Sequence, residues 1–383
     1  MIRILHMTSD LSSVGGTARK LMYLIRHSDT TRFQHCFIAM QGGEFADELQ
    51  KMGSQVTVLE SNSPWQVLRA AWSMIRSWQP DVIATHFTRS FACGTLVARW
   101  CNLPVIHHEH GPATLDKLQC SPVKQLGKRL RRGWLPGTSA IICNSHYTAE
   151  ALREMYVLDA QKIKVIHNPV ERRSHETKQS GIFPTSAIRI GHVGGLVNWR
   201  DQKTLIRAVK ILKDQGCRID LRLVGNGPMR AALRSEVEQL DLSSNVTFMN
   251  FQSDLTEFYS SIDIYINPAL AEGFGIAVVE AMLESKPVIL ARAGAHPELI
   301  QDGVSGVLYE AGNAADLARK VSMLADAPKI AMTIADEGCR HAMAAFAAHK
   351  FATAYQVIIE DTVSAHQYSP RNTGRSEKLV RYG

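Results

Sequence analysis

Short runs of β-branched and other apolar residues alternate along most of the chain with longer runs of helical period, the pattern of repeated βα units around parallel sheets. In the first half IRILHMTS, HCFIAM, QVTVLE, DVIATH, PVIHHE and AIICNS read as strands. After the first of them the Gly15-Gly16 turn leads into a helix expected from Thr17 to about His27, with Leu21, Leu24 and Ile25 on one face. IRIGHVG, LRLVGNG, NVTFMN, IDIYINPA, PVILARAG and GVLYE repeat the rhythm in the second half. Leu205, Ala208, Val209 and Leu212 form one helical stripe there, and Met229, Leu233, Val237 and Leu240 another. Between the two series, ERRSHETKQSGIFPTS (171–186) is polar and without period, and reads as a linker. The fold class expected is therefore α/β, with two Rossmann-like doubly wound domains over residues 1–170 and 187–350, a helix over 351–366 that returns to the first domain, and a polar tail over 367–383. Open sheets of this kind bind ligands at their carboxyl ends, so the two domains are expected to face each other across a cleft that holds the active site.

Composition removes several classes. A chain of 383 residues with 45% hydrophobic content can bury a large core. Its seven cysteines are scattered, without a Cys-x-x-Cys pair, so neither a disulfide framework nor a zinc knuckle is expected, and reduced thiols fit the cytosol best. MIRILHMTSD lacks the apolar core of a signal peptide, and no run approaches the ~20 apolar residues of a membrane span. A formal charge of +7 suggests anionic partners.

AEGFGIAVVEAM, residues 271–282, narrows the anion. Gly273 and Gly275 allow backbone N–H groups to approach a ligand closely at the start of a helix expected from about Phe274 to Glu284, where the dipole favours phosphate. Glu272 and Glu280 would repel phosphate, and make better sense as acceptors for the hydroxyls of a sugar and a ribose flanking a diphosphate. A nucleotide sugar has that shape. The competing reading is a dipole-favoured acid at a helix start and a solvated helical acid.

This stretch closely resembles the E-x7-E signature of the family 4 retaining glycosyltransferases of the GT-B fold. SSVGGTARKL resembles that family's first glycine-rich loop, IHHEHG its first-domain histidine strand, and AIICNSHYTAEAL with KVIHNPVE the end of that domain. VGGLVNWRDQKTLI, LVGNGPMR, VTFMNFQSDLTEFYSSIDIYINPALAEGFGIAVVEAM and GAHPELIQDGVSGVLYE follow in the order of its second domain. The resemblance implies that Glu280 binds ribose and Glu272 the donor sugar, with backbone contacts from Gly273, Phe274 and Gly275. Gly15, Gly16 and Asn226 are implied on the donor side. In the family's G-R-L-x3-K pattern an Arg and a Lys neutralise the diphosphate; here Gly194, Gly195, Leu196 and Arg200 stand in those places. The Lys has become Arg200, the Arg is missing, and Lys203 or the glycine amides are the expected assistants.

The chain contains no Asp-x-Asp, so a metal-independent transferase is expected, with no cofactor beyond its nucleotide-sugar substrate. His107, His108, Glu109 and His110 invite a metal reading, but neighbouring strand positions point to opposite faces and converge poorly. His110, before Gly111, resembles the family's strand-end histidine beside the transferred sugar, which implies substrate positioning or proton handling; a strand-capping histidine is the plainer reading. Retention in the family is attributed to front-face attack, with the donor phosphate helping to deprotonate the acceptor. Lys124, Lys128, Arg129, Arg131, Arg132 and Trp134 lie among Val123, Leu126, Leu130 and Leu135, a composition suited to an anionic membrane or to an ordinary solvated helix face. The resemblance thus implies transfer from a nucleotide sugar, a UDP-sugar ahead of a GDP-sugar, to a glycan or lipid-linked acceptor in cell-surface polysaccharide assembly, in the cytoplasm or peripheral at the inner face of its membrane. Nucleic acid is not an expected partner. A nucleotide-sugar epimerase and a non-catalytic nucleotide-sugar-binding subunit are the alternatives, the second favoured by Gly195.

Overall fold

The computed structural model describes residues 1–11, 16–86, 88–111, 133–172 and 187–368. The chain divides into two compact units, residues 1–169 with the segment from Ala348 onward, and residues 170–347.

The first unit is built on β1 (Ile2–Asp10), β2 (Phe33–Gln41), β3 (Gln55–Val58), β4 (Val82–His86), β5 (Val105–Glu109), β6 (Ala140–Cys143) and β7 (Ile163–Val165). They lie in the order β3-β2-β1-β4-β5-β6-β7 and every pair is parallel. The winding reverses between β1 and β4, where Leu5 lies beside Ile83. Side chains alternate across the sheet. Leu5, Met7, Cys36 and Ile83 pack against Val67, Ala71 and Val97 on one face, while Ile4, Phe37, Ala39 and Ala84 meet Leu21, Leu24, Phe351 and Ile359 on the other. Burial on both faces is why these strands read as near-continuous apolar runs. β7, only three residues long, carries no such signal.

The terminal helix, Ala348–Gln367, is part of this unit. Its Glu360 pairs with Arg32, its Gln356 Nε2 donates to Ser28 Oγ at 3.1 Å, and His366 Nε2 lies 2.9 Å from the Asn102 carbonyl. Beneath it Lys20 is 1% exposed, with Nζ lying 5.3 Å from the Phe351 ring centre and lacking a hydrogen-bond partner among the described residues. Burial lowers its pKa from 10.5 to about 7. A base whose folded pKa lies below its unfolded value weakens the fold increasingly as pH falls from 10.5 towards 7, and fully below that. Lys20→Met is therefore expected to raise the free energy of unfolding at pH 7 by an amount on the order of several kcal/mol, and the melting temperature with it, and to lose most of that advantage by about pH 10. Paired melting curves at the two pH values check this; an advantage of equal size at both would assign it to packing instead of charge.

In the second unit β8 (Ile188–Val193), β9 (Ile219–Val224), β10 (Val246–Met249), β11 (Ile264–Asn267), β12 (Val288–Ala291) and β13 (Val307–Tyr309) form an all-parallel sheet in the order β10-β9-β8-β11-β12-β13. Leu205, Ala208, Val209, Leu212, Leu233 and Val237 are all buried against it, whereas Met229 and Leu240 are partly so. The reversal here lies between β8 and β11. Asp263, 1% exposed just before β11, locks that junction by accepting from the Arg189 backbone N–H at 2.8 Å and from its Nε at 3.0 Å. Loops leaving β8 and β11 at their carboxyl ends are thereby fixed side by side.

Candidate functional site

β11 ends at Asn267, and the chain runs through residues 268–275 before the helix Ile276–Leu283 begins, two residues later than Phe274. Gly275 takes φ +98 at the helix start, a conformation in which any other residue is strained. A second glycine shapes the loop from outside. Gly294 has φ +58, and a Cβ there would come within 2.6 Å of the Glu272 nitrogen, while Ala295 N–H donates to the Glu272 carbonyl at 2.9 Å. Two glycines thus let three backbone segments meet at Glu272.

The Glu272 side chain is almost wholly buried, with Oε2 paired to the Arg200 guanidinium and 3.3 Å from Asn267 Nδ2. Arg200 closes the short turn Asn198–Arg200 after β8, which is pinned when Leu270 N–H donates to the Trp199 carbonyl at 2.9 Å. Burial lowers the Arg200 pKa, but an arginine stays charged throughout the working range. Its planar fork has more donors than one carboxylate oxygen can use, so it can hold Glu272 and a second anion together.

The Gly194-Gly195 turn is built from behind. Burial pushes His192 down to about 4, so it is neutral; its Nδ1 donates to the Ile266 carbonyl at 2.9 Å and its Nε2 faces Gln202 Nε2 at 3.3 Å. Gln202 also donates to the Gly195 carbonyl at 3.0 Å, and Gly194 and Leu196 N–H groups donate to Val224 and Asn226, each at 3.0 Å. Gly225 adopts φ +142 with its missing Cβ only 2.1 Å from the Gly194 carbonyl oxygen, so the loops after β8 and β9 touch backbone to backbone.

Glu280, also nearly buried, accepts from Tyr259 Oη at 3.1 Å and lines a small pocket with Arg172, Thr256 and Glu284. Nε and Nη2 of Arg172 are buried without hydrogen-bond partners among the described residues. The second unit therefore brings together Glu272, Arg200, Gly194, Gly273 and Gly275 around the carboxyl ends of β8 and β11, with Glu280 one helix turn and more beyond. His192, Gln202, Asn267 and Tyr259, which orient them, are not singled out by motif; the only signal in the sequence is a polar residue at a position where the strand or helix pattern asks for an apolar one.

Other expected residues fall differently. Lys203 lies 3.7 Å from Glu236, which also holds Arg207 at 2.8 Å, so its ammonium belongs to a helix-surface ion pair. The Phe274 side chain is buried edge-to-face against Phe346 at 5.4 Å, leaving only its backbone for a ligand. Asn226 is exposed and accepts from Arg230 at 3.0 Å. In the first unit Gly16 opens the helix Gly16–Arg26, while Gly15 lies outside the described residues. His110 follows β5 directly, its carbonyl accepting from Asn144 Nδ2 at 3.0 Å, and His107 turns to the opposite face, 3.0 Å from Thr85 Oγ1. Lys124, Lys128, Arg129, Arg131 and Arg132 also lie outside the described residues. Trp134, expected to face a membrane, is partly buried and packs on the cluster of Phe91, Leu135 and Leu152, since that apolar cover is available within its own unit. Among the described residues no helix is long and apolar enough to cross a membrane, and no three His, Cys, Asp or Glu side chains are arranged to hold a metal ion.

Residues 174–340 match the family described as "Glycosyl transferases group 1", and residues 14–173 match "Glycosyltransferase Family 4". Among curated relatives, EpsD of Bacillus subtilis (strain 168), named as a glycosyltransferase, is 31% identical over 38% of this chain and 38% of its own length. EpsF of the same organism, named likewise, is 24% identical over 75% of this chain and 78% of its own. The D-inositol 3-phosphate glycosyltransferase of Mycolicibacterium smegmatis is 26% identical over 66% of this chain and 61% of its own. Of solved structures, Anabaena Alr3699/HepE in complex with UDP and glucose superposes with a TM-score of 0.78 at 22% identity, covering 94% of this chain and all of that one. The sucrose-phosphate synthase of Thermosynechococcus elongatus gives 0.77 at 17% identity, covering 95% of this chain and all of that one.

Proposed function

From the premise that this chain belongs to the family 4, group 1 glycosyltransferases and has their GT-B fold, we propose that it is a retaining, metal-independent enzyme. In this reading it transfers a sugar from a UDP-sugar to a glycan or lipid-linked acceptor during assembly of a cell-surface polysaccharide, at the cytoplasmic side of the membrane. The observation that carries it is the Arg200–Glu272–Asn267 cluster at the β8/β11 reversal, set between two glycine turns. Glu272 is an acceptor for sugar hydroxyls held at a fixed angle, and Arg200 beside it is the charge for the departing diphosphate. Glu280, steadied by Tyr259, offers a carboxylate to a ribose hydroxyl. The UDP assignment draws on the ligands of the Anabaena neighbour, and the acceptor class on the family resemblance.

Chemically, attack by an acceptor hydroxyl forms one C–O bond at the anomeric carbon as the bond to the diphosphate breaks. Negative charge grows on that diphosphate, so a fixed cation and oriented backbone N–H groups act on it most strongly in the transition state. A non-catalytic donor-binding subunit is the second reading, supported by the loss of the family's Arg at Gly195.

Thermal-shift measurements with UDP, GDP, ADP, CMP and their sugar conjugates, with and without EDTA, test both. A rise in melting temperature with uridine ligands alone, insensitive to EDTA and reduced in Glu280→Ala, is expected. Binding of that kind with no turnover on any acceptor would favour the subunit; a response only to another base would overturn the UDP assignment.

A further inference from the structure

The helix Pro64–Trp78 follows β3 and the helix Thr88–Cys101 follows β4, so both run from the carboxyl end of the first sheet towards its amino end. They lie side by side on one face of that sheet, held by Val67, Ala71 and Met74 in the one and by Cys93, Val97 and Ala98 in the other. On the outer side of the first, Trp65, Arg69, Trp72 and Arg76 are all exposed. Their spacing of four, three and four residues, at about 100° a residue, places them within about 60° of one another and opposite the buried residues. The stripe is about 16 Å long. Arg99 and Trp100, exposed at the end of the second helix, extend the same outer layer.

Trp65, Trp72 and Trp100 are 79%, 44% and 60% exposed, so half of the chain's six tryptophans stand in water on two neighbouring helices. Apolar side chains exposed singly need no explanation; three large rings gathered on one layer do. Nor is the polar part that of an ordinary solvated face. Neither helix contains Asp, Glu or Lys, so no ion pair along the helix neutralises the arginines. The carboxylates nearest to the first helix in sequence are engaged elsewhere, Glu60 accepting from the Gly42 N–H at 3.2 Å and Asp81 from the Arg3 N–H at 2.7 Å. Uncompensated positive charge alternating with indole rings suits the headgroup layer of an anionic bilayer, where such rings settle and guanidinium groups reach lipid phosphates. A stripe as straight as its helix matches a plane, whereas a protein interface gathers its aromatic anchors into a packed centre.

We propose that the outer layer of these two helices is a membrane-docking face, with Trp65, Trp72 and Trp100 entering the headgroup region of an anionic bilayer and Arg69, Arg76 and Arg99 pairing with lipid phosphates. It rests on the membrane-side location given to the enzyme above, and places that contact on a surface other than the basic run 124–132, which lies outside the described residues. Docked in this way, both helix axes lie in the plane of the bilayer. The carboxyl ends of the first sheet's strands then open sideways along the lipid surface, where a lipid-linked acceptor reaches them without leaving the membrane.

Sedimentation of the full chain with vesicles of phosphatidylcholine, alone or mixed with phosphatidylglycerol, tests this. Binding is expected only with phosphatidylglycerol, and is expected to weaken as salt is raised. The triple variant Arg69→Glu, Arg76→Glu and Arg99→Glu, at unchanged melting temperature, is expected to bind about 100-fold less tightly, from a factor of about five for each basic residue lost. The triple variant Trp65→Phe, Trp72→Phe and Trp100→Phe is expected to bind still, but to lose most of the fluorescence quenching that brominated lipids cause in the wild type. If the glutamate variant fails to fold, the quenching decides. Equal binding by a folded glutamate variant, or quenching kept by the phenylalanine variant, would overturn this surface and leave the membrane location standing. Wild-type protein that binds no vesicle would overturn both and leave the face to a protein partner, while the rise in melting temperature with UDP would still report on the donor site alone.

Discussion

Arg200→Met is expected to reduce kcat by about 100- to 1000-fold while donor KM rises far less, because the charge it removes matters most when the diphosphate departs. Arg200→Lys should keep part of that activity, since an ammonium supplies the charge but not the planar fork that holds Glu272 and a phosphate together. Stability must be read alongside. Glu272 is 7% exposed and its Oε2 would be left with Asn267 alone, so the methionine variant loses about 3 kcal/mol of fold stability, somewhat less given that the Arg200 side chain is 24% exposed. Glu272→Gln is the control for the fold alone: it also breaks the ion pair, so a melting-temperature loss equal to that of Arg200→Met assigns the shared part to the pair. A kcat loss in Arg200→Met that Arg200→Lys partly restores places the arginine on the leaving group; an unchanged kcat in Arg200→Met would overturn that role.

Much of this architecture is legible in the sequence because it is periodic. Doubly buried strands such as Val82–His86 and four-residue helix stripes such as Leu205 to Leu212 leave a mark that survives without neighbours. Gly275 of the candidate site is legible too, since φ +98 leaves only one residue type able to stand there without strain, whereas Gly294, whose close approach to Glu272 makes the same demand, belongs to no pattern that marks it out. What could not be read is which polar side chains meet. Arg200 and Glu272 are 72 positions apart and become partners only because β8 and β11 are neighbours, a consequence of strand order rather than of spacing. Lys203, three residues after Arg200, looked equally available, but helical geometry turns it towards Glu236. The contacts of His6 with His35, at 3.0 Å, and with His86, at 3.2 Å, were hidden for the same reason: the three sit in separate strands, each at a position that pattern alone would fill with an apolar residue, and only strand order makes them neighbours.

Gly195→Arg is the substitution expected to increase function. Gly195 stands where the family places an arginine, and the backbone does not require glycine there: a Cβ would meet nothing nearer than the Asn226 carbonyl oxygen at 3.9 Å, and φ is not among the left-handed values. Its carbonyl is already fixed by Gln202, so a side chain can be added without disturbing the turn. One hydrogen-bonded charge towards a diphosphate contributes about 1.5–3 kcal/mol, which corresponds to about 10- to 100-fold in affinity or rate. Where that gain falls is informative. A lower donor KM with kcat unchanged would mean that the new cation binds substrate and transition state alike, whereas a higher kcat would mean that leaving-group charge limits the natural enzyme. Gly195→Gln, of similar reach without charge, should do neither. If Gly195→Arg leaves both constants where they were, the missing cation is already supplied by another group, and Arg172, which lines the pocket beside Glu280 and whose buried Nε and Nη2 have no partner among the described residues, becomes the first residue to replace.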